Sequence, residues 1–181
     1  MAHPNTKAGS TGSLNSLSLL LSAGHGDESF AHKYLTFYLD DGFYGVPIHK
    51  VQEIISLLPI TPLPRVPHGI RGLMNLRGRV VSVLDLRSYL DLQVRADDNL
   101  TSIMVIRLPR QDRYITLGAI VDRIAAVQDI PPDQIEPAPT YNSDIDASLL
   151  TGLSKLDGQV TALLDIDKII DSLLSAELAV E

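Results

Sequence analysis

GLMNLRGRVVSVLDLR, residues 72–87, decides the fold. Residues 72–76 and 79–84 read as two short strands folded about Arg77-Gly78, where glycine supplies the positive φ of a tight turn. Leu86, Tyr89 and Leu90 then predict a brief helical turn. The same text recurs 80 residues later. Leu76, Gly78, Val80, Val83, Leu84, Asp85 and Leu86 align with Leu156, Gly158, Val160, Leu163, Leu164, Asp165 and Ile166. A second alignment, offset by 73, sets GVPIHKV (45–51) on GAIVDRI (118–124) with apolar and polar positions largely in phase. Each half of the chain thus carries an early and a late block. Two related small β subdomains are expected, each a closed or nearly closed barrel, because closure removes the unpaired edges that short strands otherwise present.

Outward from this stretch, YLTFYLDDGFYGVPI (34–48) predicts strand, tight turn and strand about Asp41-Gly42. Val51, Ile54, Ile55 and Leu58 fall at i, i+3, i+4 and i+7, which predicts a short helix stopped by Pro59. Residues 60–72, rich in proline, predict an extended edge segment that runs into an irregular loop. In the second half, strands are expected over 102–108 and 114–120, with an apolar continuation to Val127. A proline-rich loop follows, then strands over 151–156 and 159–163 about Asp157-Gly158. Asp165 is placed to cap a final helix whose apolar stripe is Ile166, Ile169, Ile170, Leu173 and Leu174.

The composition narrows the function. The chain has 181 residues, 45% hydrophobic and 20% charged, with no cysteine and no tryptophan. Without cysteine there is neither a disulfide framework nor thiolate chemistry, and the usual structural zinc sites are gone. The histidines (His3, His25, His32, His49, His68) form no ligand-spaced cluster. No phosphate-cradling loop, GxGxxG, GxSxG or kinase signature is present. Asp40-Asp41 and Asp97-Asp98 read as solvated turn carboxylates. His49 and His68 have no recognisable nucleophile or orienting acid, and His25 with Asp27 and Glu28 lies in a tail unable to preorganise a metal site. An enzyme is not expected.

Residues 1–29 read as a disordered leader before a domain over 30–178. Its apolar run, SLNSLSLLLSA, is too short to span a membrane and lacks a secretory cleavage pattern; the alternative is a short helix that docks on a partner. Net charge is −7. Residues 65–95 run against it, with six arginines (Arg65, Arg71, Arg77, Arg79, Arg87, Arg95) and only Asp85 and Asp91 as acids. Arginine suits bidentate capture of carboxylates, so an acidic protein surface is the expected target. The alternatives are pairing with the chain's own carboxylates and a nucleic-acid-binding β-barrel, the latter disfavoured by the acidic remainder and a single aromatic, Tyr89.

In order and spacing, YGVPIHKVQEI (44–54), ITPLPRVP (60–67), GLMNLRGRVVSVLDLR (72–87), LGAIVDRI (117–124), LTGL (150–153) and LLDIDKII (163–170) resemble the CheW-type chemotaxis coupling proteins. The resemblance covers residues 34–174. It implies a mainly β fold of two intertwined SH3-like five-stranded β-barrel subdomains with short helices and a C-terminal helix. It also implies a non-catalytic adaptor with no cofactor, metal or nucleic acid and no direct membrane insertion. Such an adaptor joins the regulatory domain of a CheA-type histidine kinase to the cytoplasmic tip of methyl-accepting chemotaxis receptors, in cytoplasmic arrays beneath the inner membrane. The positions matching family contact sites are Val51, Glu53, Gly72, Arg77 with Arg79 beside it, Ile103, Met104, Gly118 and Ile124. Each also has a plain structural reading: Val51 and Ile124 as core, Gly118 as a site of close strand packing, Glu53 as a solvated charge. Arg77 could instead staple its own loop to a carboxylate such as Asp85. Pro47 and Pro67-His68 depart from the family pattern and bear on partner choice, so a pathway of surface motility, twitching or gliding, is the alternative to flagellar control.

Overall fold

The computed structural model describes residues 30–140 and 145–178. The leader, with its leucine run and His25, lies outside the described residues. Arg77 (φ 52°) and Gly78 (φ 82°) both take left-handed backbone and close a hairpin between β4 (Ile70–Leu76) and β5 (Arg79–Asp85). Asp157 (φ 49°) and Gly158 (φ 81°) do the same between β9 (Leu150–Leu156) and β10 (Gln159–Leu164). The two aligned blocks are therefore the same structure. Each ends in an aspartate that caps a helix. Asp85 accepts from the Arg87 N–H at the start of α1 (Leu86–Tyr89), and Asp165 accepts from the Lys168 N–H at the start of α2 (Ile166–Leu178).

The other strands are β1 (Lys33–Leu39), β2 (Gly42–Pro47), β3 (Val51–Ser56), β6 (Ser102–Arg110), β7 (Arg113–Val121) and β8 (Arg123–Asp129). They form two five-stranded sheets, ordered β8-β1-β2-β10-β9 and β3-β6-β7-β5-β4. Each sheet is a mixture: the first joins β1 and β2 to the last three strands, and the second joins β6 and β7 to β3, β4 and β5. Each sheet is joined twice, by an antiparallel pair (β1 on β8, β3 on β6) and by a parallel pair, and the parallel pairs are in matching register, Leu163 opposite Gly45 in one sheet and Val83 opposite Gly118 in the other. Those pairs obey both sequence offsets at once, so the subdomains are intertwined and neither is made from one half of the chain.

The faces that the sheets turn to each other share one core, which holds Leu35, Phe37 and Leu39 of β1, Met104, Ile106 and Leu108 of β6, and Ile166, Ile169 and Ile170 of α2. Burying each such side chain contributes roughly 1.5–3 kcal/mol relative to exposure. A smaller apolar cluster fills the other face of the second sheet: Met74, Val81, Val83, Ile103, Val105 and Ile120. Strand β6 is thus buried on both faces, which explains its nearly unbroken apolar text.

Two expectations are corrected. Residues 51–56 form strand β3, not a helix; only Ile48–Lys50, just before it, make a single 3-10 turn. The register slips between Val51 and Glu53, which leaves Gln52 as an extra residue against β6. This bulge turns Val51 and Ile54 to the same side, giving a strand the i, i+3 spacing of a helix. In the first hairpin, Leu39 pairs with Gly42, so the loop is Asp40-Asp41, and Asp40 (φ 51°) supplies the left-handed backbone. The proline-rich segment is extended at Thr61, which bridges Leu73 as Glu136 bridges Leu153. A glycine allows each crossing: a Cβ at Gly72 would lie 2.1 Å from the Thr61 carbonyl oxygen, and one at Gly152 would lie 2.6 Å from that of Glu136.

Candidate partner-binding face

The β4–β5 turn carries Arg77 outward, and β3 brings Glu53 to meet it. The guanidinium binds the carboxylate through two parallel hydrogen bonds, Nη1 to Oε1 and Nη2 to Oε2, both 2.6 Å. The turn is held from below by the Asn75 carboxamide oxygen, which accepts from the Gly78 N–H at 2.8 Å. Glu53 is mostly covered while the Arg77 side chain stays 69% exposed, so one edge of the guanidinium is spent and the rest is presented to solvent. The hydrogen bond to Glu53 holds the Arg77 pKa above its ordinary value, which fixes the charge at every physiological pH.

Around this pair lie Arg79, Val80, Tyr114 and Thr116, which with Arg77 and Glu53 border a shallow cavity of about 350 Å³. Val80 is 71% exposed and Tyr114 60%. The Arg107 guanidinium stacks 4.1 Å above the Tyr114 ring, stiffening the aromatic and adding positive charge. Chemically the face combines a fixed cation, two further cations and an exposed aliphatic–aromatic pair. That combination suits an acidic protein surface with apolar anchors.

The remaining sequence-derived positions separate. Val51, Ile103 and Met104 are fully buried, so they reach a partner only through the packing they support. Gly118 lies under the same sheet, where a Cβ would be 2.8 Å from Met74 Cε and 3.0 Å from Ile103 Cγ2. Gly72 serves the Thr61 crossing. Ile124 sits half-buried on β8 of the other sheet, against the shared core. It is the duplicate of Val51, and the bulge recurs at both places. The structure therefore unites Glu53, Arg77 and Arg79 on one face, and Arg77 pairs with Glu53 instead of Asp85.

The arginine-rich window is largely neutralised within the chain. Arg87 is fully buried; Nε and Nη2 donate to Asp85 at 2.9 and 2.7 Å, Nη2 to Asp97 at 3.0 Å, and Nη1 to Asp122 at 2.9 Å and to the Arg95 carbonyl at 3.2 Å. Arg71 joins Asp97 and Asp85, and Arg95 takes Asp40 and Asp41 at 2.9 and 2.6 Å. The Arg71 hydrogen bond, helped by Arg87, holds the Asp97 carboxyl below the usual carboxylate range. Asp40 and Asp97 are thus largely covered ion-pair partners, while Asp41 is a solvated turn carboxylate that also meets Arg95, and Asp98 accepts from the Leu100 and Thr101 N–H groups of its own loop. Among the described residues, Arg65 and Arg79 have no ion-pair partner.

Val80, Tyr114 and Arg107 were not singled out in the sequence. Val80 shares its side of β5 with the fully buried Leu84, so alternation does not mark it as exposed; its place beside the turn does. Tyr114 and Arg107 come together only through the β6–β7 register, which no local pattern encodes.

The family model of the CheW-like domain matches residues 33–174. The chain is 32% identical over 145 residues to the chemotaxis protein CheW of Klebsiella aerogenes, covering 80% of this chain and 85% of that protein. It is 32% identical over 143 residues to that of Thermotoga maritima, covering 79% and 90%. Protein FrzA of Myxococcus xanthus is 30% identical over 142 residues, with 77% and 86% covered. The crystal structure of the scaffolding protein TtCheW from Thermoanaerobacter tengcongensis superposes with a TM-score of 0.69 at 27% identity, covering 79% of this chain and 89% of that one. With the interwoven sheets, the doubled hairpins and these similarities in hand, the chain belongs to the CheW-like family.

Proposed function

We propose that this protein is a non-catalytic adaptor of bacterial chemotaxis that joins the cytoplasmic tip of methyl-accepting receptors to the regulatory domain of a CheA-type histidine kinase. It works in the cytoplasm, at receptor arrays on the inner membrane, with residues 30–178 as the functional domain behind a leader. The observation that carries this reading is the Arg77–Glu53 pair, displayed on a tight turn between exposed Val80 and Tyr114 in a chain whose relatives are chemotaxis proteins and a scaffolding protein. Coupling follows if the two partners hold different faces and each contact changes strength with receptor state. Gly72, Gly118, Val51, Ile103, Met104 and Ile124 then act by fixing the strands beneath the contacts, and Arg79 lends charge at the rim.

Similarity to FrzA favours a second reading, the same adaptor chemistry in a pathway of surface motility. The nucleic-acid reading loses its basis, since four of the six window arginines are engaged with the chain's own carboxylates. Calorimetric titration against the kinase regulatory domain, then a receptor-tip fragment, tests the proposal. Saturable one-to-one binding to both is expected, weakened for one of them by Arg77→Ala. A folded sample that binds neither overturns it.

A further inference from the structure

The duplication allows the two sheets to be compared position by position on the faces turned away from the shared core. In the second sheet this face is Met74, Val81, Val83, Ile103, Val105 and Ile120 around the bare Gly118, and it is apolar throughout. Matching register puts Ser154, Thr161, Leu163, Tyr34, Thr36 and Pro47 around Gly45 in the same places of the first sheet. Three of these side chains carry aliphatic hydroxyls, and all three are buried: Ser154 is 3% exposed, Thr36 and Thr161 0%.

Thr36 is satisfied, donating to the Ala126 carbonyl at 2.9 Å. Ser154 Oγ and Thr161 Oγ1 have no hydrogen-bond partner among the described residues. They stand directly opposite each other on β9 and β10, where facing side chains on adjacent strands point the same way. Leaving two buried hydroxyls without a partner is costly, whereas a buried water that bridges them removes most of that cost. Beside its Oγ, serine stops two heavy atoms short of the methionine at the equivalent place, and Thr161 matches Val81 in size.

We infer that the face of the β8-β1-β2-β10-β9 sheet turned away from the shared core is a hydration site, holding a buried water molecule between the hydroxyls of Ser154 and Thr161. The water donates to one hydroxyl oxygen and accepts from the other. The two duplicated faces thus differ in kind, one apolar and one hydrated. This inference is independent of the adaptor reading.

Oxygen-17 water relaxation dispersion on the full chain tests it by counting long-lived internal waters, with Ser154→Ala/Thr161→Val compared to the unsubstituted protein. Loss of one such water in the double variant is the expected result; an unchanged amplitude overturns the inference. Urea unfolding of the single variants gives a second readout. Thr161→Val keeps the shape and removes the hydroxyl, so a wet site predicts a lower midpoint as the water loses an anchor. A higher or unchanged midpoint in both Thr161→Val and Ser154→Ala marks two dry orphans and overturns it.

Discussion

Arg87 and Asp167 occupy equivalent places in the duplicated blocks, 80 residues apart and each second after a helix-capping aspartate, yet they carry opposite charges. Arg87 sinks completely and gathers Asp85, Asp97 and Asp122. Asp167 stays at the rim with its side chain 35% exposed and takes Lys50 and Arg110, the latter at 3.0 Å. The first network straps the segment after α1 onto both sheets; the second pins α2 across the shared core. Backbone is what the two halves have in common: turns with the same φ, glycines at the same crossings, the same cap. The side-chain chemistry was rebuilt separately in each, and the Arg77 face repeats that lesson, because the duplicates of Arg77 and Glu53 are Asp157 and Ala126, which cannot pair.

The largest expected effect breaks the buried network. Arg87→Met leaves carboxylates buried without their cation and should cost about 3–5 kcal/mol in urea unfolding, whereas Asp167→Asn, at a solvated rim, should cost about 1 kcal/mol or less. Similar losses from both would erase the distinction between strap and pin. Next come the crossings. Gly72→Ala meets backbone at 2.1 Å with φ at +150° and should lose about 1–3 kcal/mol, more than Gly152→Ala, whose close contact is longer and whose φ lies outside the left-handed range.

Acid gives a smaller, graded effect. Asp97 is held below 3.8 chiefly by Arg71, and Asp167 is held below it because Lys50 and Arg110 outweigh the opposing effect of burial. A carboxylate whose pKa is lower in the folded state stabilises at pH above its unfolded value, and that stability is lost as pH falls through the folded pKa. Unfolding free energy should therefore decline as the pH drops toward and below 3.8, and Asp97→Asn should flatten that decline. A profile unchanged by Asp97→Asn would remove the Arg71 pair from the account.

Much of this fold was legible in the text. Residues 72–87 located a hairpin and a helical turn, Asp165 located a cap, and the offsets of 73 and 80 located the duplicated pairs that fix the parallel joins. The exchange of strands between halves was not legible from spacing, since a repeat says which segments are alike and not which become neighbours. Strand β3 was misread because a bulge at Gln52 imitates helical periodicity. In the candidate site, Arg77, Glu53 and Arg79 were picked out singly, but their juxtaposition depends on β3 reaching the β4–β5 turn across 24 residues of chain. The arginine-rich window showed its charge and not its partners, because Asp40 and Asp122 lie far away in sequence.

The adaptor reading rests on the displayed arginine, and the duplicated turns provide its control. Melting temperature and calorimetric affinity for the kinase regulatory domain and the receptor tip should be measured for Arg77→Ala and Asp157→Ala side by side. The account predicts that both variants melt as the unsubstituted protein does, and that only Arg77→Ala loses binding to one of the two partners. Full binding to both partners by a stably folded Arg77→Ala protein would contradict it.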